Sequence, residues 1–145
     1  MSRPFQIVVD AADPHAVNRF WSAAMGYEME DHHDLVKQLL DGGQITPEET
    51  IELDGRLAFK AAAASRDPEG VAPRLLFQTV PEPKTVKNRV HLDLRPGVDP
   101  TTAELDRLLG LGATRIGQGS QGPNAWVVLT DPEGNELCLP VPPGT

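Results

Sequence analysis

The side chains suited to chemistry in this chain of 145 residues lie in two extended apolar runs and near the C-terminus. Strand alternation places His91 and Asp93 on one face of the second run, and Gln6 and Asp10 on one face of the first. Imidazole, carboxylate and thiol groups can bind metals or transfer protons, and Cys138 provides the only thiol. The sequence shows no Ser-His-Asp order, phosphate-binding glycine loop or zinc-ligand spacing. Any chemistry of this chain therefore depends on these few positions.

Two glutamines carry more information than the histidine or the cysteine. His91 fits a buried, hydrogen-bonded histidine as well as a cavity residue, and Cys138 fits a small core residue. A buried amide without a partner costs free energy, so Gln6 and Gln78 on inward strand faces predict a polar, solvated cavity. Asp93 on a facing strand supports the same interpretation.

Two other features have simpler interpretations. Trp126 and Phe77 are candidates for the floor of a ligand pocket, and core packing is the alternative for both. The adjacent His32 and His33 resemble a metal-binding pair, but neighbouring residues of a helix do not face one another. We therefore expect these two histidines to be polar residues at a helix start.

The elements that position the candidates form one unit repeated along the chain. Asp-Pro-Glu-Gly occurs at 67–70 and at 131–134, each time before an apolar run. Asp-Pro dipeptides at Asp13 and Asp99 begin helical patterns that end, after the same number of residues, at a glycine. Asp-Pro-Glu-Gly itself fits a type I turn. The two copies therefore mark the register of the repeat, and the architecture predicted is strand, helix, further strands, turn and strand.

The first half carries the longer segment between helix and turn. We predict a strand over 5–10, a helix capped by Asp13 and ended by Gly26, and a last strand over 74–80. The helix should pack through residues at helical spacing, namely Val17, Phe20, Trp21 and Ala24. The extra segment predicts an inserted helix through Leu35, Val36, Leu39 and Leu40, a turn or short helical start at 46–49, and strands 50–53 and 56–62 meeting at Asp54-Gly55.

The second half is shorter. We predict a strand over 89–95, a helix capped by Asp99, and a flexible loop over 117–124 that is rich in Gly, Ser and Gln. The buried stripe of the helix should consist of Leu105, Leu108 and Leu109. The remaining strands are predicted at 113–116, 125–129 and 135–141.

Composition and charge exclude several classes of protein. The net charge of −8 with scattered basic residues argues against nucleic acid or an anionic membrane as partner. No apolar stretch approaches the roughly 20 residues of a membrane-spanning helix, and the N-terminus lacks the apolar core of a secretory signal. The single cysteine excludes an intrachain disulfide, so we expect a cytoplasmic protein.

The repeated pattern resembles the vicinal oxygen chelate superfamily, which contains glyoxalases, bleomycin-resistance proteins and extradiol dioxygenases. The resemblance rests on Gln6 to Gly26, Val90 to Gly112 and Trp126 to Leu139. Phe-Trp-x3-Met-Gly and Asn-Arg-Val-His-Leu-Asp-Leu are typical of its glyoxalase-like proteins of unassigned role. The resemblance implies an α+β fold of two βαβββ modules whose mixed sheets form a half-open barrel around one cavity. Residues 1–145 would form a single domain, with module one at 1–84, a linker near 81–88 and module two at 89–145.

The resemblance also implies where a metal would bind. The positions that match the family's metal ligands are Gln6, Gln78, His91 and Cys138. This set lacks the two glutamates of the family pattern, and Fe, Mn and Ni favour at least one carboxylate. Zn accepts His and Cys, and Asp10 or Asp93 would supply a carboxylate.

Two functions follow as hypotheses. The first is a bleomycin-resistance-like protein that binds a small organic molecule in the cavity without chemistry. The alternative is a metal-dependent lyase, isomerase or dioxygenase acting on a vicinal-oxygen substrate. The predicted cavity residues are Gln6, Asp10, Gln78, His91, Asp93, Trp126 and Cys138. The resemblance and the prevalence of two-fold assemblies predict a homodimer, with the cavity completed in one chain or across two.

Overall fold

The computed structural model describes residues 1–97 and 100–145. The part of the chain that it describes divides into two compact units: unit 1 contains Met1–Ser22 and Gly26–Pro81, and unit 2 contains Ala23–Met25 and Glu82–Thr145. The elements in chain order are β1 (Ile7–Ala11), α1 (Pro14–Met25), β2 (Glu28–Met29), α2 (His33–Asp41), a 3-10 helix (Pro47–Glu49), β3 (Thr50–Leu53), β4 (Arg56–Phe59), β5 (Ala62–Arg66), β6 (Leu75–Thr79), β7 (Leu92–Asp93), α3 (Thr102–Gly110), β8 (Thr114–Gln121), β9 (Asn124–Thr130) and β10 (Glu136–Val141). No helix within the described ranges has the length and apolar character needed to cross a membrane.

Each unit contains a four-stranded sheet of the same topology. The order is β1-β6-β5-β2 in unit 1 and β7-β10-β9-β8 in unit 2. In both sheets the first strand pairs in parallel with the last, and the other pairings are antiparallel. The predicted α+β class and the two βαβββ repeats are confirmed.

Local signals set the ends of α1. The Asp13 carboxylate accepts hydrogen bonds from the backbone N–H groups of His15 and Ala16, which have no partner inside the helix. Gly26 ends the helix with a φ of 70°, a conformation that costs glycine little. The predicted apolar stripe is buried and consists of Val17, Phe20, Trp21 and Ala24.

The inserted segment of unit 1 forms α2, the 3-10 helix and the β3–β4 hairpin. Asp54 and Gly55 occupy the turn with φ angles of 51° and 77°, as the Asp-Gly pair predicts. Val36 is the residue of α2 that is fully buried, whereas Leu35 remains 46% exposed. The predicted strand over 56–62 is wrong at its end, because the chain turns after Phe59 and Ala62 then begins β5. This turn lets β5 pair with β6 in the main sheet while β4 pairs with β3.

Both Asp-Pro-Glu-Gly segments are turns, as predicted. Asp67 accepts hydrogen bonds from the N–H groups of Glu69, Val71 and Ala72. Asp131 accepts from the N–H groups of Glu133 and Asn135, and it is 2% exposed. The two aspartates act as local acceptors that fix the backbone before the last strand of each unit.

The strands of unit 2 depart from the prediction in two places. The predicted strand over 89–95 contracts to β7, because its ladder with β10 comprises two residue pairs. The predicted flexible loop over 117–124 is wrong, since β8 continues to Gln121 and pairs with β9 along its length, with a bulge between Arg115 and Gly117. The glycines of this segment have low strand propensity, so the sequence predicts a loop. Packing against the neighbouring strand β9 stabilises a strand there instead.

The helix of unit 2, α3, differs from its prediction at two points. The expected cap Asp99 lies outside the described residues, and α3 begins at Thr102. Leu105 and Leu108 are buried as predicted, but Leu109 is 38% exposed. The buried face of α3 is therefore narrower than the predicted stripe of three leucines, and the helix ends at Gly110.

Candidate functional site

A cavity of about 730 Å³ lies in unit 2 against the sheet. β9 and β10 supply its floor, largely through alternate side chains along each strand. Val127, Leu129, Leu137 and Leu139 point to the opposite face and are fully buried there. The intervening side chains line the cavity together with residues on and near β7. The lining comprises Lys87, His91, Asp93, Leu94, Arg95, Asn124, Ala125, Trp126, Val128, Glu136, Cys138 and Pro140.

Trp126 is held on this floor by the glycine opposite it. Gly119 of β8 pairs directly with Trp126 of β9. A Cβ atom added to Gly119 would lie 2.5 Å from Cζ2 and 2.6 Å from Cε2 of the indole. The ring therefore lies against the glycine backbone, an arrangement that a larger residue would prevent. The glycines that resemble a loop in the sequence thus position the aromatic residue of the cavity.

Three groups with metal-ligating atoms converge on the cavity. His91 Nδ1 lies 3.0 Å from Asp93 Oδ1. Asp93 stands opposite Cys138 in the parallel ladder of β7 and β10. One ligand atom from each of the three residues lies within 4.8 Å of the other two. The structure therefore brings together three of the residues predicted from the sequence.

The thiol of Cys138 is held in its protonated form. Burial raises the pKa of Cys138, and the negative charge of Asp93 and a hydrogen bond to its carboxylate raise the pKa further. The thiolate is the form that attacks electrophiles and binds metals. Cys138 is thus a poor nucleophile at neutral pH, and it can ligate a metal only after losing this proton.

Glu136 is a cavity residue that the sequence reasoning missed. Its carboxylate accepts a hydrogen bond from the N–H of Asn88 at 3.1 Å and lies 3.5 Å from Lys84 Nζ. Burial acts to raise the pKa of Glu136, but the Asn88 hydrogen bond and the charges of Lys84 and Lys87 keep the pKa below its usual range. The signal that could have found this residue is strand alternation, because Glu136 precedes Cys138 by two positions.

The other predicted site residues lie in unit 1. Gln78 Nε2 donates to Asp10 Oδ1 at 3.0 Å, and Arg74 Nη1 donates to Gln6 Oε1 at 2.9 Å. Arg74 is itself fixed by the carboxylate of Glu30, with two hydrogen bonds of 2.7 Å. Gln6, Asp10 and Gln78 are exposed in unit 1. In each of these three residues, one polar side-chain atom is therefore already hydrogen-bonded to a neighbouring side chain.

The strand ladders show which positions of the two units correspond. Asp10 stands opposite Gln78 where the first and last strands of unit 1 pair. Asp93 stands opposite Cys138 at the corresponding pairing of unit 2. Each unit therefore places an aspartate beside a second polar residue on neighbouring parallel strands.

Unit 1 also contains a smaller cleft of about 280 Å³ between α1, β2 and the β3–β4 hairpin. Several of the charged groups that line it form ion pairs with one another. Arg56 Nε lies 2.6 Å from Asp31 Oδ2, and His32 Nε2 lies 3.1 Å from Glu30 Oε2. Hydrogen bonds from this region also fasten the insert to the rest of unit 1, since His15 Nε2 lies 2.8 Å from the Phe59 carbonyl.

Solved structures resemble this chain at low sequence identity. Fosfomycin resistance protein FosX from Mesorhizobium loti is 11% identical, with a TM-score of 0.57 over 100% of this chain and 94% of that one. A glyoxalase-related enzyme from Fulvimarina pelagi is 12% identical, with a TM-score of 0.56 over 99% and 90%. A glyoxalase/bleomycin resistance protein/dioxygenase family enzyme from Burkholderia phytofirmans PsJN is 14% identical, with a TM-score of 0.53 over 94% and 95%. These likenesses establish the fold.

Sequence comparison gives the family. No functionally curated protein matches the chain. The profile of the glyoxalase-like domain matches residues 6–140, which include both βαβββ repeats and the cavity of unit 2. The chain therefore belongs to the family of glyoxalase-like domains.

Proposed function

We propose that the protein binds a small organic molecule in the cavity of unit 2. The observation that carries this proposal is the cavity itself, whose volume falls within the roughly 300–1,000 Å³ of typical ligand sites. Its lining is predominantly apolar and contains a few convergent polar groups. This combination is the usual composition of a site for a small organic ligand.

The residues have distinct roles in this proposal. The exposed face of the Trp126 indole provides a flat apolar surface, because Gly119 supports the opposite face. His91 provides a hydrogen-bonding group at the cavity through the ring nitrogen that does not contact Asp93. Gln6 and Gln78 already use their amides within unit 1, so we assign them, with Asp10, a minor contribution to binding.

The state of Cys138 favours binding over covalent chemistry. A protonated thiol is a weak nucleophile, and Asp93 accepts its hydrogen bond in addition to the contact with His91. A general base would have to be free to accept a proton from the substrate. The carboxylates of Asp93 and Glu136 are instead engaged with protein groups.

Fluorescence titration with N-phenyl-1-naphthylamine, a neutral apolar dye, tests the proposal. We expect saturable binding of one dye per chain and a loss of affinity of about tenfold or more for Trp126→Ala. Val71→Ala is the matched control, since Val71 is 84% exposed and lies outside the cavity. Equal affinities for the two variants would refute binding at this cavity.

A metal-dependent lyase, isomerase or dioxygenase is the second candidate. It is favoured by the convergence of His91, Asp93 and Cys138 within 4.8 Å. An imidazole, a carboxylate and a thiol fit Zn²⁺ better than a harder cation, and Cys138 would have to release its proton. A metal held there would act as a Lewis acid on a ligand oxygen.

Elemental analysis by mass spectrometry separates the two candidates. The protein would be purified without a tag or chelator. Metal at about one equivalent per chain, lost in His91→Ala and retained in the control His15→Ala, would establish the metal candidate. Protein that takes up less than about a tenth of an equivalent after incubation with Zn, Fe, Mn or Ni would rule it out.

We also propose that the chain is a cytoplasmic homodimer, as the sequence analysis predicts. Size-exclusion chromatography with light scattering measures the mass directly, against a chain mass of 15.7 kDa. A mass of a single chain at micromolar concentration would contradict the dimer.

A further inference from the structure

Two cations line the cavity of unit 2 without an ion pair or a hydrogen bond inside the described residues. They are Lys87, in the segment before β7, and Arg95, just after it. Both are exposed, so their side chains can reach a bound molecule. The cavity thus has charged groups that the protein itself leaves available.

The acids of the same cavity are already engaged. Glu136 accepts from the Asn88 N–H and lies 3.5 Å from Lys84, a base outside the lining. Asp93 contacts His91 at 3.0 Å and accepts the hydrogen bond of the Cys138 thiol. The formal charges of Lys87, Arg95, Asp93 and Glu136 cancel. Both acids are hydrogen-bonded, whereas neither cation makes a hydrogen bond or an ion pair among the described residues, although the charge of Lys87 helps to lower the pKa of Glu136.

About half of the basic side chains in this acidic chain pair with a carboxylate. The chain has 21 acidic residues and 13 lysines and arginines, so basic side chains have a surplus of partners. Six of these bases lie within 3.7 Å of a carboxylate in the described ranges. They are Lys37, Arg56, Arg66, Arg74, Lys84 and Arg107. The other seven bases have no such ion pair within the described residues, and of these seven only Lys87 and Arg95 line the cavity.

We propose that the ligand of this cavity is an amphipathic organic anion. This inference rests on the proposed function and adds the chemical class of the ligand. The apolar part of the ligand lies on Trp126 and Val128, and its carboxylate, phosphate or sulfonate group binds Lys87 and Arg95. Arginine and lysine recognise such oxyanions through charge-assisted hydrogen bonds. The apolar floor and the cations belong to one cavity, so one molecule can use both.

Two dyes with the same ring system test this inference. Anilinonaphthalene sulfonate carries an anionic group, whereas N-phenyl-1-naphthylamine is its neutral counterpart. We expect the anionic dye to bind about tenfold more tightly, because its sulfonate adds charge-assisted hydrogen bonds with Lys87 and Arg95 to the apolar contact. Lys87→Gln and Arg95→Gln should each weaken the anionic dye about three- to tenfold and leave the neutral dye unchanged. An unchanged affinity for the neutral dye also shows that the variants are folded.

Matched controls remove cations elsewhere. Lys60→Gln and Arg3→Gln each remove one positive charge, as the cavity variants do, and lie outside the cavity. They should leave the affinity for the anionic dye within twofold of the original. Raising the salt concentration should weaken the anionic dye in the original protein and have a smaller effect in the Lys87→Gln, Arg95→Gln double variant.

The outcomes separate the two levels of the proposal. Equal affinities for both dyes, or an anionic preference that survives the double variant, would overturn the inference about the anion while leaving binding intact. Failure of both dyes to bind, or binding that is insensitive to Trp126→Ala, would overturn the proposed function itself. An anionic preference lost in the double variant and kept in both controls is the result that we predict.

Discussion

The two sheets share a strand order but present different side chains at corresponding positions. In unit 1 the paired positions hold Asp10 and Gln78, whose polar atoms are bonded to each other. In unit 2 they hold Asp93 and Cys138, which meet His91 at a cavity of about 730 Å³. The repeated topology therefore fixes where polar side chains meet, whereas the residues at those positions differ, and a cavity of this size lies beside the pair in unit 2.

The largest loss of stability is expected in the Asp-Pro-Glu-Gly turn of unit 2, whose aspartate is buried, whereas the aspartate of the same turn in unit 1 is more exposed. Asp131→Ala should lower the free energy of unfolding by about 2–4 kcal/mol, because part-buried donor groups of Glu133 and Asn135 lose a buried acceptor. Asp67→Ala should cost less, since water can satisfy the N–H groups released there. Urea denaturation of both variants measures the difference. Equal losses would show that burial does not distinguish the two turns.

The next effect concerns the glycines of β8. Gly119→Ala should lower the free energy of unfolding by about 1–3 kcal/mol, because its Cβ would overlap the Trp126 ring. Affinity for the neutral dye should fall with it. Gly117→Ala is the matched control, as its Cβ would lie at an ordinary 3.8 Å from Val128. A control variant as damaged as Gly119→Ala would refute the positioning role of Gly119.

The chemistry of Cys138 gives a pH-dependent prediction for unit 2. The rate of alkylation by iodoacetamide should rise at a higher pH than for a free thiol, because burial and then Asp93 raise the pKa of Cys138. Asp93→Asn should move this rise to lower pH, although burial keeps it above the ordinary thiol range. An unchanged pH profile in Asp93→Asn would show that the carboxylate does not control the thiol.

The corresponding prediction for unit 1 concerns Asp67 and acid stability. Hydrogen bonds from the N–H groups of Ala72 and Glu69 lower the pKa of Asp67. The resulting stabilisation is present above the unfolded pKa of about 4 and is lost as the pH falls through the folded pKa. The difference in stability between the original protein and Asp67→Ala should therefore shrink in acid. Urea denaturation of both proteins across this pH range measures the difference in stability. A difference that stayed constant as the pH fell would contradict the prediction.

The smallest effect is expected at the unit 1 residues of the predicted site. Gln78→Ala should change the affinity for the neutral dye by less than about threefold, because its amide already donates to Asp10. A fluorescence titration beside Trp126→Ala measures both. A loss of affinity as large as that of Trp126→Ala would show that Gln78 is a main ligand-binding residue, as its place among the predicted cavity residues implies.

Local signals explain how much of the fold could be predicted. Asp13 and Gly26 define α1 because capping and a left-handed terminal residue depend on near neighbours. The Asp54-Gly55 hairpin is local in the same sense. The continuation of β8 could not be predicted from local signals, because it depends on Trp126 of the neighbouring strand β9 packing over Gly119.

The candidate site was predicted in part for the same reason. Alternation along the strands places His91 beside Asp93, and the family positions add Cys138. Strand alternation also places Glu136 on the face of Cys138, but its contacts with Asn88 and Lys84 are long-range and have no local signal. The pairing of Gln6 with Arg74 is likewise a long-range contact that no local pattern indicates.

The two tryptophans allow the most direct test of the cavity. Trp21 is 4% exposed and belongs to the core of unit 1, whereas Trp126 lines the cavity of unit 2. In protein labelled with ¹⁵N at tryptophan, Trp126→Phe assigns the two indole N–H signals. Titration with N-phenyl-1-naphthylamine should shift the Trp126 signal progressively to saturation and leave the Trp21 signal in place. Dye binding that shifts Trp21 alone, or neither signal, would contradict a ligand site in this cavity.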